Sequence, residues 1–397
     1  MEPVIRSLTI KGFRSIPSER VELDNPIFLA GRNGSGKSNF VDVFAFLAES
    51  MNSPLRAVFD RRGGISEVRY RSGGGPPNLG LGVDFGELEG GVSRCHYAFD
   101  IGALANYGFG VFREQCVVTH QDGSTYWFDR DREGFRTNNN LGGLHPQFDP
   151  SSLAMPLVGA DSRFNPVVRA LSGMRVYSIE PAKIKELQDP DDGASLRSDG
   201  SNLASVLEAI ERRSSDDYER IREILACVVP KLKAIDTVSH GKKLSLSFVQ
   251  EWGEGKRLDL EAFSMSDGTL RALGILAAAY QQPKPSLIVI EEPEATIHPG
   301  ALGAILDVIK HASRQMQVIV TTHSPELLDA KWIRENNLRI AGWQDGATHI
   351  TPIEDSSRRV LEAHLVEAGE LLRSNALEAP FVSKDGRPQA VLFENPA

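Results

Sequence analysis

The chain has few cysteines, no long apolar run and no excess of positive charge. Its 3 cysteines, Cys95, Cys116 and Cys227, are far apart along the sequence, odd in number and without a C-x-x-C pair. That pattern argues against a disulfide frame or a cysteine zinc site and fits reduced thiols. The longest apolar runs, LGILAAAY and SLIVI, fall well short of the ~20 residues that span a bilayer. The opening MEPVIRSLTIKGF carries Glu2, Arg6 and Lys11 where a signal peptide has its apolar centre. A cytoplasmic location without membrane contact is therefore expected. Lys and Arg total 44 against 53 Asp and Glu, a net charge of −9. This excludes a uniformly basic coat for nucleic acid, though not a local basic groove.

What is present is an alternation of strand and helix patterns. VIRSLTI alternates as a half-buried strand, a second strand is expected at about 20–30, and the glycine-rich GRNGSGKS then opens the helical pattern NFVDVFAFLAES. From about 60 to 150, short β-branched and aromatic segments between glycine-rich turns predict an antiparallel sheet of hairpins. The polar stretch 130–165 predicts a mobile loop. NLASVLEAIERR and DDYERIREILACVVPKL predict two amphipathic helices, and the acidic run DPDD, in the loop between Tyr177 and Ser201 that precedes them, reads as a solvated turn rather than a metal site. SLIVI, ALGAILDVIKHAS and QVIVTTHS then form a βαβ unit. The strand LRIAGWQ and one helix, RRVLEAHLVEAGELLRS, follow, and the residues after Glu378 are expected to be loosely ordered.

Four pieces carry chemistry. Gly31, Arg32, Asn33, Gly34, Ser35, Gly36, Lys37 and Ser38 match G-x-x-x-x-G-K-[ST] in full, between a strand and a helix. Glycines let successive amides face phosphate oxygens at a positive helix start; Lys37 would bridge the β- and γ-phosphates and the Ser38 hydroxyl would ligate Mg²⁺. Second, the buried strand Leu287–Ile290 ends in Glu291 and Glu292, delivering two carboxylates to the edge where phosphates sit. Glu291 would hold Mg²⁺ through its water, and Glu292 would polarise the attacking water. Third, His323 follows the strand QVIVTT and should lie at the same edge. Fourth, Ser266 and Gly268 in SMSDGT open a helix. They form either an anion cap for the nucleotide of a second copy or an ordinary N-cap by Ser266 or Asp267.

In this order the four pieces resemble the ABC-type ATPase heads of the SMC, RecF and OLD group. IRSLTIKGFRSI is similar to that group's first strand, and Asn39 follows its P-loop as it often does there. MSDGT stands where the LSGGQ signature would be, with Ser266 and Gly268 at matching positions and Asp267 and Thr269 departing from the pattern. EEPEATIHP resembles the Walker B and D-loop, Glu291 replacing the usual aspartate, and TTHSPELL resembles the switch-histidine segment. Gln115 is a candidate for the Q-loop glutamine and equally a surface strand residue. SDGSNLASVLEAI, SDGTLRALG and IEEPEATIHP are closer still to predicted ATPases without long coiled coils, some of which act in anti-phage defence beside a separate effector.

The resemblance implies an α/β P-loop NTPase head of ABC type, with a mixed sheet and an inserted antiparallel-β and helical lid region. Lys37 and Glu291 are roughly 250 residues apart, room for such an insertion. The expected boundaries are 1–60 with 260–360 for the ATPase core, 60–260 for the insertion and 361–397 for a helix and tail. The implied cofactors are ATP and Mg²⁺, and the implied partners a second copy and a separately encoded effector. Two other readings stand beside this Mg-dependent ATPase switch: an ATP-bound scaffold with little turnover, and a RecF-like DNA-maintenance protein in which Arg61, Arg62, Arg69 and Arg71 contact phosphates.

Overall fold

The computed structural model describes residues 2, 4–71, 78–105, 108–139, 141, 147–253, 255–363, 365–374, 376–377 and 391–394. The chain divides into two compact units, each assembled from separated stretches. One holds Glu2–Met174, Glu335–Ala363 and Asn375–Ala397; the other holds Arg175–Arg334 and His364–Ser374.

The first unit is built on a seven-stranded antiparallel sheet. Its strands lie in the spatial order Ile16–Glu22, Ile5–Phe13, Leu79–Phe85, Val92–Ala103, Phe109–His120, Thr125–Asp131 and Phe135–Thr137. Period-two alternation sends Leu8, Ile10, Leu81, Val83, Tyr97, Phe99, Val118 and Phe128 to a fully buried core. The helix Lys37–Asn52 contributes its aromatic side chains to that core. Phe46 sits edge-on to Phe13 at 5.7 Å and tilted against Phe99 at 6.4 Å between ring centroids. This unit also contains Ile27–Ala30, buried at all four residues, which runs parallel to Leu338–Gln344; that strand pairs in turn with Ala347–Thr351.

The second unit contains the βαβ element. Leu287–Glu291 and Gln317–Thr322 pair in parallel, joined through the helix Pro299–Ala312. The helices Leu203–Arg213, Ser215–Ala226 and Asp267–Tyr280 pack together beside it. A three-stranded antiparallel sheet is formed by Leu232–His240, Lys243–Trp252 and Lys256–Glu261. No helix among the described residues is long and apolar enough to cross a membrane.

Several expectations are corrected. The strand expected at 20–30 is two strands, interrupted before Pro26, which lacks a ladder donor. The stretch 130–165 contains a strand, Phe135–Thr137, and a short helix, Met155–Val158; residues 140 and 142–146 of it lie outside the described residues. The last helical pattern is two helices, Asp355–Glu362 and Ala368–Arg373. The second of these is captured by its own neighbours: Gly369 backs onto the Pro325 carbonyl, where a side chain would collide, and Arg373 pairs with Asp329 at 2.7 Å. Of the residues expected to be loose after Glu378, those at 379–390 and 395–397 lie outside the described set, but Val391–Glu394 is docked on the large sheet. Cys95 and Cys116, distant in sequence, meet across adjacent strands as free thiols in a sulfur–sulfur hydrogen bond of 3.9 Å.

Candidate functional site

The buried strand Ile27–Ala30 delivers the chain into the glycine loop, which lies in the first unit. Gly34 and Gly36 have φ of 79° and 96°, conformations that glycine adopts without the Cβ penalty. A side chain on Gly36 would also collide with Thr348, and one on Gly31 would lie 2.5 Å from the Ala341 carbonyl oxygen. Thr348 is the loop's anchor: its hydroxyl donates to the Ser35 carbonyl at 3.1 Å and lies 2.7 Å from the Ser15 hydroxyl. Asn39 joins this network by donating its amide to Ser15 at 2.6 Å.

The following helix starts at Gly36 with no side-chain cap and no acid in its first turn. Its opening amides have no intrahelical acceptor, and the dipole is positive there. Lys37 is buried and folds back over the loop, donating from Nζ to the carbonyls of Gly31 at 2.7 Å and Arg32 at 3.2 Å. The Ser35 hydroxyl is buried with no hydrogen-bond partner. Arg32, Asn33, Gly34 and Ser38 are exposed. A left-handed cradle, a buried cation and an orphaned hydroxyl fit an oxygen-rich anion such as a polyphosphate.

The second group lies in the second unit. Parallel pairing in the register Leu287↔Gln317 to Glu291↔Thr321 makes both strands end at one edge. The chain leaves the first strand through Glu292 at φ 41°, the left-handed region that a side-chain-bearing residue adopts only when its surroundings hold it there. They do: the Glu292 amide donates to both the carbonyl and the hydroxyl of Thr321, at 3.1 and 3.2 Å. The turn brings the Glu292 carboxylate to 3.3 Å from His323 Nδ1. Glu291, the last residue of the strand, is half-buried.

Two residues not singled out from the sequence complete this edge. Glu294 accepts from the Thr322 hydroxyl at 2.6 Å and the His323 amide at 3.1 Å, fixing the segment that carries the histidine. Arg271 lies in the field of Glu292 and Glu294; burial pulls its guanidinium down, and its Nε is buried without a hydrogen-bond partner. A third acid so close to the Glu291–Glu292 pair was the only sequence signal for Glu294. Arg271 gave none, because only the packing of its helix brings it to the acids.

Ser266 caps the helix Asp267–Tyr280, its hydroxyl accepting from the Thr269 amide at 3.2 Å. In this conformation the ordinary N-cap reading holds. Gly268 passes so close to the Thr296 carbonyl that any side chain would collide. Asp267, a departure from the signature pattern, is paired with Lys185 at 2.7 Å, which offsets a negative charge beside the helix start.

Other expectations change. Gln115 is fully buried in mid-strand, its carboxamide held by Asp129 at 3.1 Å and by the main chain of Glu394, so it is neither a loop glutamine nor a surface residue. The basic cluster is internally neutralised: Arg61 pairs with Glu49, Arg62 with Asp42 and Glu49, and Arg71 with Glu67, while Arg69 is buried. Asp191 and Asp192 accept backbone amides of their own turn, as a solvated turn requires.

A family model described as "AAA domain, putative AbiEii toxin, Type IV TA system" matches residues 27–141 and 149–329. None of the curated proteins matches the chain. Among solved structures, an Smc head bound to the C-terminal winged-helix domain of ScpA aligns over 90% of this chain and 99% of its own, at 15% identity and a TM-score of 0.53. An Smc head with an extended coiled coil, bound to the C-terminal domain of ScpA derived from Pyrococcus furiosus, aligns over 92% and 100%, at 13% identity and a TM-score of 0.53. The fold is that of the SMC-head P-loop ATPases, a mixed α/β architecture.

Proposed function

The chain belongs to that AAA-domain family, and from this premise we propose that it is an ATP-hydrolysing switch that works as a dimer closed around two nucleotides. The observation that carries the proposal is the Glu292–His323 pair at 3.3 Å, held at the ends of two parallel strands by a left-handed turn. An acid oriented by a neighbouring imidazole is what positioning a water for attack requires.

In this reading the core is drawn from 1–60 and 260–360, and the loop 31–39 and the acidic edge serve one nucleotide. The loop amides and Lys37 bind the β- and γ-phosphates. Ser38 and Glu291 would hold Mg²⁺, which supplies charge neutralisation when bound. Glu292 orients and deprotonates the water, and His323 senses the γ-phosphate. Ser266 and Gly268 of the opposing copy cap that phosphate, with Lys185 reducing the repulsion from Asp267. Loss of the γ-phosphate removes the bridge between copies, so hydrolysis opens the pair.

The family's reference to a toxin system supports a role in controlling a separate effector, as in defence against phage. The internal pairing of Arg61, Arg62 and Arg71 weighs against direct DNA contact through that cluster. The test is the mass of Glu292→Gln in solution with Mg²⁺ and ATP. The switch predicts a stable dimer, whereas the wild type returns to monomer as ATP is consumed. A variant that remains monomeric under saturating ATP removes the sandwich model.

A further inference from the structure

The large sheet has a mainly apolar inner face, where Glu114 and Arg130 are the buried charged pair, and a second face that carries Ser7, Thr9, Asp84, His96, Gln115 and Asp129. Polar side chains on the outer face of an antiparallel sheet are ordinarily solvated. Here all but Asp84 are buried, with Gln115 at 0% and His96 at 4% exposure. Part of the cover is the short segment Val391–Glu394, which lies across the strands and adds no ladder to the sheet.

The segment is recognised through its backbone. Gln115 donates from Nε2 to the Glu394 carbonyl at 3.0 Å and accepts from the Glu394 amide at 2.9 Å. Asp129 fixes the orientation of that carboxamide at 3.1 Å. His96 Nε2 lies 2.7 Å from the Leu392 carbonyl, and its Nδ1 lies 2.7 Å from Asp84. Side chains are read as well. Leu392 enters a notch where Gly80 presents no side chain, and a Cβ there would collide with it. Arg113 stacks over the Phe393 ring at 4.4 Å, and Arg94 meets the Glu394 carboxylate at 2.6 Å.

Asp84, His96 and Glu394 are close enough to suggest a metal site. The hydrogen bonds argue otherwise. Both imidazole nitrogens face oxygens that only accept, so the ring donates from both and keeps no lone pair for a cation.

We infer that this groove is a peptide-binding site for a short extended segment of the form Leu-Phe-Glu, filled here by the chain's own residues 391–394. The preformed parts point to reading a ligand: a buried amide aimed at one peptide unit, a glycine notch sized for leucine, and arginines for an aromatic ring and an acid. The hold is shallow enough to exchange. Leu392 is the segment's one buried side chain, while Val391 is 73% exposed. One buried leucine and three backbone hydrogen bonds roughly balance the entropy of ordering a short segment. A cavity of about 350 Å³, lined by Val391, Phe393, Arg6, Arg20, Glu22 and Arg94, adjoins the segment and leaves room for a competitor to enter.

The test uses the full chain and a fluorescent peptide with the sequence of residues 389–396. Leu392→Asp releases the chain's own segment and should bind the peptide at least about tenfold more tightly than the wild type. Adding Gln115→Leu should abolish that gain, and a scrambled peptide should not bind. Equal binding by wild type and a folded Leu392→Asp chain, or equal binding of the scrambled peptide, overturns the inference. If Leu392→Asp does not fold, hydrogen exchange on the unmodified chain decides. The Glu394 amide should be protected and should lose protection in excess peptide; an unprotected amide, or one indifferent to the peptide, contradicts the site.

Discussion

Gly34 and Gly36 both have positive φ, yet they should respond differently to the same substitution. Gly34→Ala places a Cβ in open space, so only the left-handed strain of about 1–2 kcal/mol applies. Gly36→Ala adds a collision with Thr348, the residue that anchors the loop through Ser15 and Ser35. Thermal melts should show a clearly larger loss for Gly36→Ala, and nucleotide binding should be lost there and only weakened at Gly34. Equal effects would mean that the Thr348 contact does not define the loop. At the acidic edge, Glu294→Gln keeps the shape but weakens the charge-assisted bond to Thr322 that fixes the histidine segment. It should lower turnover while leaving ATP affinity intact; a change in affinity alone would place Glu294 elsewhere in the cycle. The loop was legible in the sequence because its chemistry is local: glycine, lysine and serine at fixed offsets between a strand and a helix. Glu294 and Arg271 were not, because their roles arise from a turn and a helix contact that no local pattern encodes.

Among the elements, the helix Asp267–Tyr280 is the sharpest case of one residue with two readings. Ser266→Ala removes a cap and should cost about 1 kcal/mol of stability, visible as a modest fall in melting temperature. If Ser266 also meets a second copy's nucleotide, ATP-dependent dimer formation should fall far more than that cost explains. Loss of stability without loss of dimer would leave it a cap alone. The docked segment 391–394 supplies a pH test. Burial opposes charge on Asp84, but hydrogen bonds from His96 and Ser7 and the charge of Arg20 outweigh it and hold the carboxyl at about 2, against an ordinary 3.8. Its contribution is present above 3.8 and is lost as pH falls toward 2. Burial likewise opposes the His96 imidazolium, but Asp84, the Leu392 carbonyl and Glu394 raise its pKa above the ordinary 6.5. Its contribution is complete below 6.5 and is lost as pH rises through the raised value. Exchange protection of the segment should therefore be greatest between about 3.8 and 6.5 and fall on both sides; a profile flat through alkaline pH contradicts a charged His96. Strands and helices with clean periodicity were readable in advance, including the βαβ element. The docked segment was not, since four residues without a ladder partner carry no period.

At the scale of the whole molecule, each compact unit gathers stretches from distant parts of the chain. Such units are defined by packing between strands far apart in sequence, as where Ile27–Ala30 pairs with Leu338–Gln344. The family pattern was readable because its motifs recur in fixed order, even where the overall identity to solved heads is 13–15%. We propose that the loop around Lys37 and the edge around Glu292 act on the same magnesium–nucleotide. The most direct measurement is Mg·ATP binding and single-turnover hydrolysis for the wild type, Lys37→Ala and Glu292→Gln, side by side. The prediction is that Lys37→Ala loses binding, while Glu292→Gln binds as the wild type does and hydrolyses at least about 100-fold more slowly. Hydrolysis by Glu292→Gln at the wild-type rate, or unchanged binding by Lys37→Ala, would contradict it.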